Sequence, residues 1–456
     1  MINLLHELRN RLRREGFVRS VFLVSSGATI NVILNVFLTP IVARLYDKDD
    51  YGLASLFASI VNLGVLVVTL MYPSAIVIPK EAIHAYRLIK GSIILAAASG
   101  VVFVLLSLIV SGLIQLEPVY SSWIILLPAG IMVMVFDQIT AFLSVRDKQF
   151  KLNAKGSVVA GMLNKGYTIS YGGFLGSSQF GIIGGFLISH LVASLMRARQ
   201  SFKNAIRTTW DLREIKETML LYASFPKYVL PGNFINRFSR DMPLYFLSAF
   251  FGLGATGSFA FAISILTLPY NLIGASVSPV FVQKAVELRD NAPDQMVGFV
   301  KKTTNALFLV SLVPFSILAV FGGELFSLIF SSRWHEAGLF AGSLSLYFMF
   351  RIISAPLSSI FRVLHKERDM LVFNTLLFVF RGLSLLIGWW LLQPLGIVFL
   401  FSVVSAIGYI VLMIMTFRLV NLSWVGFAIR YTLSFYGVIA LLWLLKYGAM
   451  VYIFQS

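Results

Sequence analysis

The chain contains no cysteine, which excludes disulfides, thiolate metal sites and cysteine nucleophiles. Charge is nearly as scarce. Only 12% of its 456 residues are Asp, Glu, Lys or Arg, where a soluble domain carries about 25%. A water-facing surface cannot be built from so few ionised groups. The five histidines are scattered, with no HExxH or other metal-ligand spacing, and no phosphate-binding P-loop occurs. No loop is long enough for a catalytic or nucleic-acid-binding domain. The expectation is therefore no catalytic residue, no metal and no cofactor, with proton or sodium coupling left open.

What fills the chain is apolar. Hydrophobic residues make up 58% of it, and the mean hydropathy is +0.85. Apolar blocks of about 20 residues, the length of a membrane-spanning helix, recur from end to end. In lipid only helices and closed barrels satisfy their own backbone polar groups. Barrel strands would read as ~10-residue alternating segments, whereas these blocks are continuous. The expected fold is thus all-α integral membrane. Twelve core helices are expected over 18–43, 54–71, 91–114, 122–145, 157–176, 180–196, 228–250, 257–282, 304–330, 337–361, 371–392 and 396–417, with a thirteenth over 431–454. Residues 1–17 read as a basic interfacial helix, with Leu4, Leu5, Leu8 and Leu12 opposite Arg9, Arg11, Arg13 and Arg14. No cleavage site punctuates the block that follows, so it is not read as a signal peptide.

Charge gives an independent check. With the N-terminus in the cytoplasm, twenty-eight of the 37 lysines and arginines fall on the cytoplasmic side. Only Arg44, Lys48 and Arg333 fall on the other. This is the positive-inside pattern, and it explains the net charge of +17 without any nucleic-acid partner. The longest loop, 197–227, divides the core into six-helix lobes at 18–196 and 228–418, followed by a hydrophobic tail at 419–456. A weak repeat supports two equivalent halves. At an offset of 205 residues Ile30, Asn31, Gly52, Ser59 and Ile60 match Ile235, Asn236, Gly257, Ser264 and Ile265. Transporters are commonly built from such repeats.

Six basic residues remain inside the expected spans: Lys165, Arg237, Arg240, Arg351, Arg381 and Lys446. The carboxylates singled out with them are Asp137 and Asp241. Ionised groups at this depth normally face a bundle interior or a wet cavity. An excess of cations predicts an anionic substrate. Arg237 and Asp241 are spaced for an i, i+4 pair, leaving Arg240 as the natural bidentate ligand of a phosphate. Lys165, Arg351 and Arg381 are further candidates for a cationic cavity. Asp241, Asp137, Asn31 and Asn35 are supporting or coupling candidates, with helix packing the simpler role for each. Lys446 reads as a snorkelling side chain, and His190 as a polar interface residue.

The run Pro40, Arg44, Leu45, Asp50, Tyr51, Gly52 resembles the first two helices of the polysaccharide (O-antigen) flippases. The segments 240–265 and 268–288 resemble the corresponding part of their second half. The likeness covers residues 18–418 in layout. It implies a member of the multidrug/oligosaccharidyl-lipid/polysaccharide exporter superfamily, V-shaped, with two six-helix lobes around a cationic cavity. It implies a monomer in the bacterial inner membrane that flips an undecaprenyl-pyrophosphate-linked oligosaccharide by alternating access. The polysaccharide made would be an O-antigen of lipopolysaccharide, a capsule or an exopolysaccharide. Implied partners are the lipid-linked oligosaccharide, membrane lipids, a polysaccharide polymerase and a chain-length regulator. A lipid II flippase and a multidrug or cation antiporter are the alternatives within the superfamily. A membrane-bound polymerase or ligase would need a large extracytoplasmic loop, and every such loop here is short.

Overall fold

A computed structural model describes residues 16–113, 118–364, 366–391, 393–423 and 425–455. Most of the basic N-terminal segment expected at 1–17 lies outside the described residues. The described chain is α-helical, in the order α1 Gly16–Leu45, α2 Lys48–Thr69, α3 Tyr72–Ala75, α4 Ala82–Leu113, α5 Pro118–Arg146, α6 Phe150–Leu175, α7 Gln179–Arg207, α8 Leu212–Leu221, α9 Leu230–Asn291, α10 Gln295–Phe330, α11 His335–Leu357, α12 Ser359–Val363, α13 Glu367–Leu391, α14 Pro394–Leu419 and α15 Val425–Gln455. Among the described residues ten helical runs are long and apolar enough to cross a membrane. One of them carries two of the expected helices. The turn expected at 251–256 shrinks to a single break in α9 at Gly252, where φ is +83° and ψ 177°, a conformation that favours glycine.

The chain packs as two compact units. The first is Met1–Tyr46 with Leu53–Asp241; the second is Asp47–Gly52 with Met242–Ser456. In the first, α1 lies along α6 and α6 along α7. Polar groups set the register. Asn31 Nδ2 donates to Ser157 Oγ at 2.7 Å, Lys165 Nζ to Thr39 Oγ1 at 3.2 Å, and Tyr46 OH to the Thr168 carbonyl at 2.7 Å. The connector helix α8 falls inside the 210–222 stretch whose pattern predicts an amphipathic helix. Asp211 caps it, accepting from the Arg213 and Glu214 amides. It is tied to α4 by an Arg87–Glu214 ion pair and by Lys90, which donates to the Thr208 and Thr209 carbonyls at 2.8 Å.

In the second unit α10 and α11 approach until glycine is required. A Cβ on Gly338 would sit 2.1 Å from the Gly322 carbonyl oxygen, and one on Gly322 would sit 2.3 Å from that of Gly338. Small residues let membrane helices meet this closely, where dispersion and weak backbone contacts replace the hydrophobic effect. The segment Asp47–Gly52 is held here by two ion pairs, Lys48–Glu336 at 2.8 Å and Arg333–Asp47 at 2.5 Å. Lys446, read as a snorkelling side chain, has partners on α10. Its Nζ bonds Glu324 and the Val320 carbonyl, fastening α15 to α10. Glu324 is a third carboxylate inside an expected span, 304–330, beside the two singled out from the sequence.

Candidate functional site

Within the first unit, α2, α5 and the start of α9 enclose a cavity of about 380 Å³. Its polar lining is Asn62 from α2, Asp137 and Gln138 from α5, and Asn233, Asn236, Arg237 and Arg240 from α9. The α9 residues fall at i, i+3, i+4 and i+7, so one helical face supplies four of them. Apolar walls come from Val65, Leu66, Met134 and Ala141.

Both carboxylates are already engaged. Arg237 Nε lies 3.2 Å from Asp241 Oδ2, and Ser59 Oγ donates to the same oxygen at 2.6 Å. Across the cavity Arg197 donates to Asp137 Oδ1 at 2.7 Å, and His190 Nδ1 lies 3.1 Å from Asp137 Oδ2. Arg197 also donates from Nε to the Ala193 carbonyl at 3.1 Å. Hydropathy ends the sixth span at Met196 and leaves Arg197 in the cytoplasmic loop. In the structure α7 runs on to Arg207, and Arg197 reaches back to α5 with only 8% of its side chain exposed. Arg197 matches Asp137 and Arg237 matches Asp241, and Arg240 also lines the cavity.

Chemically the cavity offers two guanidiniums and four carboxamides. It has hydrogen-bond donors for an anion and donor–acceptor groups for hydroxyls. Gln138 Oε1 is buried with no hydrogen-bond partner among the described residues. Among the described residues no group of His, Asp or Glu is placed to hold a metal ion.

The other sequence candidates lie elsewhere. Lys165, Asn31 and Asn35 sit at the α1–α6 seam, where Asn35 Nδ2 donates to the Asn31 carbonyl at 2.8 Å. Arg351 and Arg381 belong to the second unit and are 7% and 2% exposed. Arg351 lies 4.1 Å over the Tyr270 ring. Arg381 lies 5.4 Å from the Tyr347 ring and donates to Ser405 Oγ at 2.9 Å. Arg351 is also 5.8 Å from Tyr347, so the two guanidiniums share one aromatic ring. Cation–π contact is strong when the cation is desolvated, and it holds these arginines within the packed helices.

The sequence reading missed Asn62, Gln138, His190 and Arg197 as members of this site. The one available signal was the spacing of His190 and Arg197, two turns apart on one face of α7.

A family model described as "Polysaccharide biosynthesis protein" matches residues 41–338. No curated protein matches the chain in sequence. Several solved structures share the fold. Lipid II flippase MurJ, in an inward closed conformation, aligns with a TM-score of 0.66 at 14% identity, over 94% of this chain and 100% of its own. An inward-facing multidrug resistance MATE family transporter of the MOP superfamily aligns at 0.63 and 15%, over 88% and 98%. A MOP superfamily transporter from Pyrococcus furiosus, described as having a binding pocket of reverse polarity, aligns at 0.58 and 14%, over 91% and 96%.

Proposed function

The chain belongs to the polysaccharide biosynthesis protein family and is a polytopic membrane transporter, and from that premise we propose that it carries an undecaprenyl-pyrophosphate-linked oligosaccharide across the bacterial inner membrane by alternating access. The observation that carries the substrate class is the cavity of the first unit, where Arg237 and Arg240 stand among four carboxamides. Guanidinium forks match phosphate oxygens, and carboxamides match sugar hydroxyls. Each charge-assisted hydrogen bond contributes roughly 1.5–3 kcal/mol. Lys165 in the first unit, and Arg351 and Arg381 in the second, are further candidate cations for an anionic substrate. Contact with the two buried arginines requires the rings around them to part. The N-terminus is cytoplasmic in this reading. The chain acts as a monomer, and a polymerase and a chain-length regulator receive the product.

A cation exporter would need carboxylates free to meet its substrate. Here Asp137 is held by Arg197 and Asp241 by Arg237 and Ser59, which disfavours that alternative. A lipid II flippase shares the same anchor chemistry and differs in what the diphosphate carries. The test is complementation in a strain that cannot export its surface polysaccharide. The Arg240→Ala and Arg237→Ala variants, present at normal levels in the membrane, should fail to restore export. Rescue of a lipid II flippase deletion instead would reassign the sugar. Normal export by both variants would sink the cavity as the substrate site.

A further inference from the structure

A second cavity of the first unit lies where α1, α6 and the C-terminal half of α7 meet, with a volume of about 450 Å³. One face of α6 builds most of it. Lys151, Lys155, Val158 and Val159 fall at i, i+4, i+7 and i+8. Two lysines therefore stand at one end and two valines at the other. Ile30 of α1 and Met196 of α7 close the apolar part.

The two ends have different surroundings. The fifth helix ends at Arg146 and α6 begins at Phe150, so the lysines sit in the first two turns after the chain reverses. Both are exposed. No Asp or Glu is among the described residues that line the cavity. Arg197, the neighbour of Met196, is turned to Asp137 instead. The apolar end runs on into exposed apolar side chains, Ile33 and Met162.

We propose that this cavity holds one anionic phospholipid of the bilayer, its phosphate between Lys151 and Lys155 and an acyl chain along Val158, Val159 and Ile30. Side chains four apart on a helix are neighbours, so two ammonium groups can flank a single phosphodiester. Each lysine lays its methylene stem on apolar surface and keeps its charge at headgroup depth. Basic pockets between membrane helices hold anionic headgroups in this way. The occupant is a resident lipid and not the transported one. A diphosphate is matched by guanidinium forks, and those line the other cavity, at Arg237 and Arg240. The chain's own first residues suit the cavity less well, because Arg9, Arg11, Arg13 and Arg14 would bring like charge to the lysines.

The test is binding of an acyl-labelled fluorescent phosphatidylglycerol to the purified, delipidated full-length chain in non-ionic detergent. The unaltered chain should bind it saturably at one site, and the phosphatidylcholine analogue far more weakly. A basic residue at an anionic headgroup changes affinity about fivefold, so Lys151→Ala with Lys155→Ala should weaken binding about 30-fold. Val159→Trp fills the apolar end, keeps both charges and should also weaken it. Lys80→Ala with Lys216→Ala, at two exposed lysines elsewhere, should bind like the unaltered chain. Unchanged binding in the folded Lys151, Lys155 variant or the folded Val159 variant overturns the proposal. Equal binding of the two lipids, or equal weakening by both lysine pairs, does the same, as does failure of the folded, unaltered chain to bind phosphatidylglycerol. Displacement of bound phosphatidylglycerol by undecaprenyl diphosphate at equal concentration would assign the cavity to the transported lipid and overturn the proposal too.

Discussion

Arg197 lies 2.7 Å from Asp137, its guanidinium turned back from the C-terminal half of α7 into the packed helices. This pair converts what reads as a lone intramembrane carboxylate into a neutral wall. A buried pair of this kind is a weak source of net stability. Removing one partner, however, strands the other.

Arg197→Ala should therefore destabilise the chain by about 3–5 kcal/mol, the cost of an uncompensated buried charge. Adding Asp137→Asn to it should restore much of the loss. Thermal unfolding in detergent of both single variants and the double variant measures this coupling. Purely additive effects would mean that the two side chains do not interact.

The α10–α11 contact makes a steric prediction. Gly338→Ala places a methyl against the Gly322 carbonyl, and overpacking of this type costs about 1–3 kcal/mol. Gly338→Leu should leave no monodisperse protein on gel filtration. Gly426, whose Cβ would meet nothing within 4 Å, should accept alanine without loss.

Lys446 and Glu324 predict a charge swap. Either Lys446→Glu or Glu324→Lys alone sets like charges together and should loosen α15, exposing it to proteolysis. The double exchange should restore protection. Equal protection in all four forms would show that the pair does not hold the helix.

Orientation is tested with introduced cysteines, since the chain has none of its own. A cysteine at the exposed Asp49 should react with an impermeant thiol reagent added outside intact cells. One at the exposed Lys151 should react only after permeabilisation. The reverse pattern inverts the topology. Ala255, also at an expected outer turn, is 9% exposed and makes a poor reporter.

The helices were legible because lipid demands a long uninterrupted apolar run, and such a run survives in a single sequence. The cavity was legible in part. Arg237, Arg240 and Asp137 stand out because an ionised group in an apolar helix has few innocent explanations. Asn62, Gln138 and Asn236 do not stand out, since single amides are common at helix seams, and which faces meet is settled only by packing. Arg197 was hidden by the rule that ends a span where charge begins; Glu324 lies in plain view in the span 304–330, and only its Lys446 partner on α15 needed the structure. Arg351 and Arg381 were visible as charges. Their partners are aromatic rings on α9, α11 and α14, and of these only Tyr347 and Phe348, four and three residues before Arg351 on the same helix, are announced by spacing. Gly252 was legible more nearly, since a turn is expected at 251–256 and the break falls at that one glycine.

The central claim is that Arg237 and Arg240 hold the diphosphate of a lipid-linked sugar. The measurement closest to it is the affinity of the purified chain for an undecaprenyl diphosphate-linked oligosaccharide, compared with Arg240→Ala and Arg240→Lys. Loss of one charge-assisted contact should weaken binding about 10- to 100-fold in the alanine variant. The lysine variant should recover only part of this, since a point charge lacks the planar fork. Equal affinity for all three proteins, each folded and monodisperse, would contradict the account.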